Sequence, residues 1–296
     1  MEEQAPGQPQ PPPPTPARAP WGTWLKALAG FVAPTTLLTA LLLYFGYAFT
    51  DAQYEYFGID PATLGFSTQD FLLRSAAALW MPVGVTLFVG LVAALGYFWA
   101  AAVAGSRPHL LRRVTRAGVC LLMCGVGLFA LGVLGGFQVW PAAQLTTPLL
   151  LLCGLLLVVY GRLMHLKATG RPFVGEVTAF CIAAALITLC SFWAVQAYAQ
   201  GHGEHEARYL ARHLRLRPEV VVDTTERLYF TAPGVRETSL PEGGSGQHFK
   251  YRYRGLRLLA QSGDRMFIVP KSWTRQRGAV LVLPVGAGVR VAFRPG

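Results

Sequence analysis

Residues 77–104 read AALWMPVGVTLFVGLVAALGYFWAAAVA, twenty-eight consecutive positions without an Asp, Glu, Lys, Arg or His. A run this apolar cannot stay in water, and it is too long for a buried core helix. A helix of about 20 residues, rising roughly 1.5 Å per residue, crosses a hydrocarbon layer of about 30 Å. The stretch is therefore read as a membrane span. Tyr97, Phe98 and Trp99 mark its far interface, because an amphipathic ring settles at headgroup depth.

Working outward, the same pattern recurs at 28–49, 117–139, 148–164 and 174–199. Ionisable residues of the N-terminal two thirds are confined to the connections. The expected fold is a membrane all-α bundle of five transmembrane helices, with a small α+β, mainly antiparallel β domain after it. Three segments follow: a disordered Pro-rich tail at 1–26, a five-helix membrane domain at 27–200 and a polar β-rich domain at 201–296. The first apolar run exceeds a signal-peptide core and is expected to remain as the first span.

Local signals sharpen the helix ends. Ser67-Thr68-Gln69-Asp70 predicts a helix start with Ser67 as N-cap and Asp70 three residues in. Thr147 with Pro148 predicts another, with Pro at the first helical position. Pro34 and Pro82 fall inside spans, and Pro82 predicts a kink. Gly132 and Gly136 form a small-xxx-small pair suited to close helix contact. The five cysteines (Cys120, Cys124, Cys153, Cys181 and Cys190) all lie in spans and read as small packing residues.

Loop charge sets an orientation. The connection 105–116 carries Arg107, Arg112, Arg113 and Arg116 without an acid, and 162–176 carries Arg162, Lys167 and Arg171 against Glu176. The connection 51–74 is acidic, with Asp51, Glu55, Asp60 and Asp70 against Arg74. Positive loops stay on the cytoplasmic side. The N-terminus is then cytoplasmic and the C-terminal domain extracytoplasmic, in a plasma membrane. Arg208, Arg212, Arg215 and Arg217 pull the other way, but long translocated domains weigh less than short loops.

The tail predicts a helix at 204–216 stopped by Pro218, then strands at 219–223, 226–231 and 247–261. Ser262-Gly263-Asp264 predicts a hairpin turn into 265–270, and 279–283 with 289–293 predicts a last hairpin. Residues 201–296 hold sixteen Lys or Arg against eight Asp or Glu. Lys250, Arg252, Arg254 and Arg257 make a basic stripe along one strand, the one candidate contact for an anionic ligand. Such a surface suits anionic lipid headgroups or a wall polymer, and an exported domain excludes nucleic acid.

Other constellations are bland. His202, Glu204, His205 and Glu206 are ligand types, but they match no zinc signature and read as a solvated linker. No P-loop, G-x-S-x-G or dinucleotide fingerprint occurs. Charge-free spans argue against a proton-coupled pump. The sequence assigns no catalytic residue, cofactor or metal ligand.

The stretches YEYFGIDPATLGFSTQDFLLRS (54–75), YRYRGLRLL (251–259) and MFIVP (266–270) resemble a group of uncharacterised multi-pass proteins from actinobacteria. No activity is attached to that group, so the resemblance implies an actinobacterial plasma membrane and no mechanism. The preferred expectation is a non-catalytic bundle that anchors an extracytoplasmic binding or sensing domain. The alternative is a component of a transporter or channel. An interfacial enzyme using the acidic loop is a third reading.

Overall fold

The computed structural model describes residues 21–106, 108–137, 144–170, 175–241 and 247–295, with side chains outside the description at 21–34, 77, 100, 101, 103–112 and 168. The Pro-rich segment 1–20, Trp140-Pro141 and most of the 241–246 loop fall outside the described residues. Among the described residues, six α-helices and one short 3-10 turn (Leu214–Leu216) are followed by six strands: α1 (Trp21–Glu55), α2 (Pro61–Leu64), α3 (Thr68–Ser106), α4 (Pro108–Gly136), α5 (Thr146–Thr169), α6 (Glu176–Arg212), β1 (Glu219–Thr224), β2 (Arg236–Ser239), β3 (Tyr251–Ser262), β4 (Arg265–Pro270), β5 (Leu281–Pro284) and β6 (Val289–Arg294). By contacts the chain divides into a unit ending at Leu41 and a large unit, Leu42–Gly296. Within the first, the Thr39 hydroxyl donates to the Thr35 carbonyl at 2.9 Å.

Among the described residues, four helices contain stretches long and apolar enough to cross a membrane: Ala78–Trp99, Arg113–Gly136, Thr146–Lys167 and Glu176–Arg212. Five were expected. The missing one, 28–49, lies within α1, part of whose side chains fall outside the description. The span in α3 is almost entirely uncovered by protein, and Leu87, Phe88, Leu91 and Leu95 are all exposed. Side chains of this kind need lipid as solvent.

Glycine decides how closely the helices approach. A Cβ on Gly125 would meet the Gly154 carbonyl oxygen at 2.7 Å, and one on Gly161 would meet the Gly118 carbonyl oxygen at 2.6 Å. A Cβ on Gly132 would press on Leu151 at 2.8 Å. Gly118, Gly125 and Gly132 recur every seven residues on α4, as Thr147, Gly154 and Gly161 do on α5. That period keeps one seam facing a near-antiparallel partner. The expected pair was Gly132 with Gly136, but nothing lies within 4 Å of a Cβ on Gly136. Thr147 is also not the N-cap of α5. The helix begins one residue earlier, Leu145 precedes it, and Thr147 is buried in the seam. At the far end of this hairpin, Arg162 Nε pairs with Glu176 Oε1 at 3.0 Å and ties α5 to the start of α6.

The start of α3 is built as expected. Ser67 N–H donates to Asp70 Oδ2 at 2.9 Å, and Asp70 N–H donates to Ser67 Oγ at 3.2 Å, a reciprocal cap. Pro82 lies inside the continuous helix, and the Thr86 hydroxyl donates to its carbonyl at 2.7 Å.

α6 differs from expectation. Residues 202–206, read as a linker before a second helix, continue one 37-residue helix. Gly203, within this stretch, serves as a contact. A Cβ on Gly203 would collide with the Phe49 carbonyl of α1, and Ala199 and Ala207, one turn to either side, are fully buried. Small residues at i, i+4 and i+8 form a flat strip on which the end of α1 lies. Gly46 serves α1 in the same way against the Phe71 carbonyl of α3.

The strands form one antiparallel sheet ordered β5-β4-β3-β1-β6, with β2 also on β3. β3 is long enough to serve β2 with residues 251–254 and β4 with 256–262 along one edge, while β1 takes the other. The expected strand at 226–231 is absent, and those residues run irregularly with Tyr229 at φ 49°. The expected last hairpin is absent too: β5 pairs with β4 and β6 with β1. Pro284 and Val289 are therefore close in sequence but at opposite sheet edges. Five steps of chain reach about 18 Å at most. A flat sheet would separate these residues by four strand spacings, about 19 Å, plus the offset along β3. The sheet must therefore coil until its edges approach. Its inner face accordingly makes a single core of Val220, Val222, Tyr253, Leu256, Met266, Ile268 and Leu283, with Val289 and Val291 packed against it.

The outer face of β3 and β4 is covered from elsewhere in the chain. Leu259, Ala260, Phe267, Val269 and Trp273 pack with Tyr54, Phe57, Ile59 and Leu64 from the first connection and with Ala207, Leu210 and Leu214 from the end of α6. Phe57 and Trp273 meet at 4.7 Å between ring centroids.

Two glycine pairs test this packing. Gly125→Val is expected to destabilise the full chain in detergent by about 1–3 kcal/mol through overpacking, whereas Gly127→Val, with nothing within 4 Å, is expected to be near neutral. The same contrast is expected between Gly203→Leu and Gly201→Leu. Unfolding midpoints that fail to separate the members of each pair would refute the close contacts.

Candidate anion-binding face

β1 alternates strictly. Val220 and Val222 enter the inner core, so Glu219, Val221 and Asp223 share the outer face. The register then assembles outer-face rows across the sheet. Asp223 lies opposite Arg252 of β3 and Arg290 of β6, and Arg252 lies opposite Thr238 of β2. Glu219 lies opposite Arg257 and Arg294. Between these rows, Arg254 lies directly opposite Arg236 of β2.

Arg257 joins this face because of one irregularity. Tyr253 and Leu256 both face the inner core although they are three residues apart, so β3 carries one extra residue against β1 between Val220 and Val222. Gly255 is that site. Its φ is +83°, and a Cβ there would collide with the Gly234 carbonyl. Glycine alone fits the backbone conformation and the space. Without the bulge, Arg257 would fall on the face opposite Arg252.

The centre of the face is an ion triad. Arg252 donates from Nε to Asp223 Oδ1 at 2.7 Å and from Nη2 to Oδ2 at 3.0 Å, a bidentate fork. Arg290 Nη2 donates to the same Oδ2 at 2.6 Å, and its guanidinium stacks over the Phe249 ring at 5.0 Å. The Asp223 side chain is only 5% exposed. Hydrogen bonding from Arg252 holds its carboxyl below the usual carboxylate range. Burial opposes this, and Arg290 reinforces it.

The four sequence candidates divide. Arg252 is committed to Asp223. Arg257 Nη1 donates to the Arg217 carbonyl at 2.7 Å. Lys250 and Arg254 are exposed, and among the described residues neither has an acidic partner within ion-pair distance. Arg236 and Arg294, which the sequence reading did not single out, are exposed and unpaired in the same sense. Asp223 was hidden within an apolar run, EVVVDT, and Arg236, Arg290 and Arg294 reach the face only through pairing between distant strands.

Beside the face, the Tyr253 hydroxyl accepts from Leu228 N–H at 2.9 Å and donates to Glu237 Oε2 at 3.4 Å, and Glu237 pairs with Arg227. Burial pushes the Tyr253 phenol up.

Several of the other candidate groups have structural partners. Asp60 caps α2 by accepting from Ala62 N–H at 2.8 Å, and Asp70 belongs to the cap of α3. Asp51 is pushed up by burial and by neighbouring Glu55 and Asp60. His202 stacks on Tyr198 with planes 8° apart, and Glu204 pairs with Arg208. Among the described residues no three His, Cys, Asp or Glu gather into a metal-binding group. All five cysteines are free. Arg74, by contrast, is held in the first connection by the Phe66 ring at 4.4 Å and by Gln53 Oε1 at 3.2 Å.

No family model, curated protein or solved structure matches the chain.

The triad sets a pH dependence. Because the folded-state pKa of Asp223 lies below its unfolded value, its contribution is present above the ordinary carboxylate pKa of 3.8 and is lost as pH falls through the folded value. Asp70 adds a contribution of the same sign. Asp223→Asn is expected to cost about 2 kcal/mol at neutral pH and to flatten the acid limb of stability below about pH 4, as read by unfolding in detergent across pH.

Proposed function

We propose that the chain is a five-span plasma-membrane protein, without a reaction of its own, whose helical bundle holds a β domain at the extracytoplasmic surface for binding or sensing an anionic partner. The observation that carries this reading is the seam between the outer face of β3 and β4, the first connection and the end of α6. It makes the sheet a fixed extension of the bundle instead of a tethered module.

The same seam supports the orientation. The acidic connection 51–74 packs with the C-terminal sheet, and four crossings by α3 to α6 return the chain to the side it left. The basic connections 105–116 and 162–176 then fall together on the opposite side, which the positive-inside rule makes cytoplasmic. The arginines after α6 belong to a folded domain, so they compete weakly with that rule. α1, at 35 residues, has length to spare for the fifth span. Resemblance in the first connection and the strands supports an actinobacterial plasma membrane. Against a conduit, the α4–α5 seam brings the backbones at Gly125 and Gly154, and at Gly118 and Gly161, into close approach.

Two measurements test the reading. An alkaline phosphatase reporter fused after Gly296 is expected to be active, and a dark phosphatase with a bright fluorescent-protein fusion would reverse the orientation. A chain ended after Arg217 is expected to insert in the membrane but to behave as a null allele. Full retention of the parent phenotype by that chain would refute a binding role for the sheet.

A further inference from the structure

The outer face of the sheet has two halves. One half, on β3 and β4, is apolar and is covered by the first connection and the end of α6. The other half, on β2, β3, β1 and β6, gathers Arg236, Arg252, Arg254, Arg257, Arg290 and Arg294 against two acids, Glu219 and Asp223. Asp223 is saturated by Arg252 and Arg290.

Arg236 and Arg254 stand directly opposite each other on neighbouring strands. Cross-strand Cβ atoms are about 5 Å apart, and like charges so placed destabilise the pair. Both side chains are exposed, and among the described residues neither has an ion-pair partner. Two guanidinium forks at this separation match the oxygens of one phosphate, and an anion between them would turn repulsion into two charge-assisted contacts.

The tether identifies the source of the phosphate. α6 runs past its apolar stretch to Arg212, and residues 213–218, which carry Arg215 and Arg217, lead directly from it into β1. The covered half of the same face rests on the connection between two bundle helices, which ends at the bilayer. In the proposed topology the arginine half, continuous with the half that rests on this connection, faces the lipid beside the bundle. An anionic leaflet attracts basic surfaces within a Debye length, by roughly 1 kcal/mol for each Lys or Arg.

We propose that the arginine half of the sheet's outer face docks on anionic phospholipid headgroups of the bilayer that holds the chain, with Arg236 and Arg254 clamping one phosphate. This inference rests on the reading of the domain as an anion-binding module, and it names the partner.

The test uses the full chain in phosphatidylcholine nanodiscs containing increasing phosphatidylglycerol, with hydrogen exchange read at 236–239 and 251–254. Phosphatidylglycerol is expected to protect both segments, and 1 M salt to reverse the protection. Arg236→Gln/Arg254→Gln is expected to weaken the apparent lipid affinity about 30-fold, the equivalent of two headgroup charges. Arg265→Gln/Arg277→Gln removes two charges elsewhere on the domain and is expected to leave the titration unchanged. Unfolding midpoints confirm that each variant is folded. Unchanged protection in the Arg236/Arg254 variant overturns the proposal. So does protection by soluble tripolyphosphate without any by phosphatidylglycerol, which would identify a free polyanion as the partner. Either result, combined with a null phenotype for the chain ended after Arg217, removes the lipid contact and leaves the anchoring role standing.

Discussion

The structure depends on one apolar seam. β4 is buried on both faces: Met266 and Ile268 enter the inner core, while Phe267 and Val269 face outward onto residues from two other parts of the chain. A strand covered on both sides cannot be completed by the sheet it belongs to. Here the second cover comes from Tyr54, Phe57, Ile59 and Leu64, some two hundred residues earlier, and from the last turns of α6. Separating the sheet from the helices would expose Trp273 and Phe267 to water. The polar tail and the membrane bundle are therefore joined by the hydrophobic effect as well as by the peptide chain.

Close backbone approach makes that joint possible. Gly46 and Gly203 let α1 lie flat against α3 and α6 where the helices leave their apolar stretches. The first connection is then held over the bundle end by the Ser67–Asp70 cap and by Arg74 between aromatic rings. Each of these contacts uses residues that look unremarkable one at a time. Together they fix where Phe57 and Leu64 sit, and so where the sheet docks.

The sequence exposes whatever is decided locally. Charge-free runs reveal the spans, because the cost of placing a charge in hydrocarbon overrides any other preference. Ser67 and Asp70 reveal a cap, and Ser262-Gly263-Asp264 reveals the β3–β4 hairpin, because both are short-range hydrogen-bonding problems. What was missed is decided at a distance. β2 has four exposed residues and no apolar alternation, so nothing in RETS announces a strand. β5 and β6 carry a convincing turn between them but pair with β4 and β1, since the coiled sheet offers each a better edge. The stretch 202–206 reads as a solvated linker, yet Gly203 within it supports a helix contact. The basic stripe was half legible: alternation gave Lys250, Arg252 and Arg254, but Asp223, Arg236, Arg290 and Arg294 join it only once the strand order is known.

The continuity of α6 has a mechanical consequence. A helix of 37 residues is roughly 55 Å long. Its apolar part must follow the thickness of the surrounding lipid, which spans accommodate by leaning. With no joint along the rod, a lean of about 10° carries the outer end through roughly 9 Å. Because the first connection and the end of α6 both pack on the sheet, that travel would carry the strands with it. With α6 crossing a bilayer, a change in bilayer thickness would therefore tilt the bundle and the sheet together.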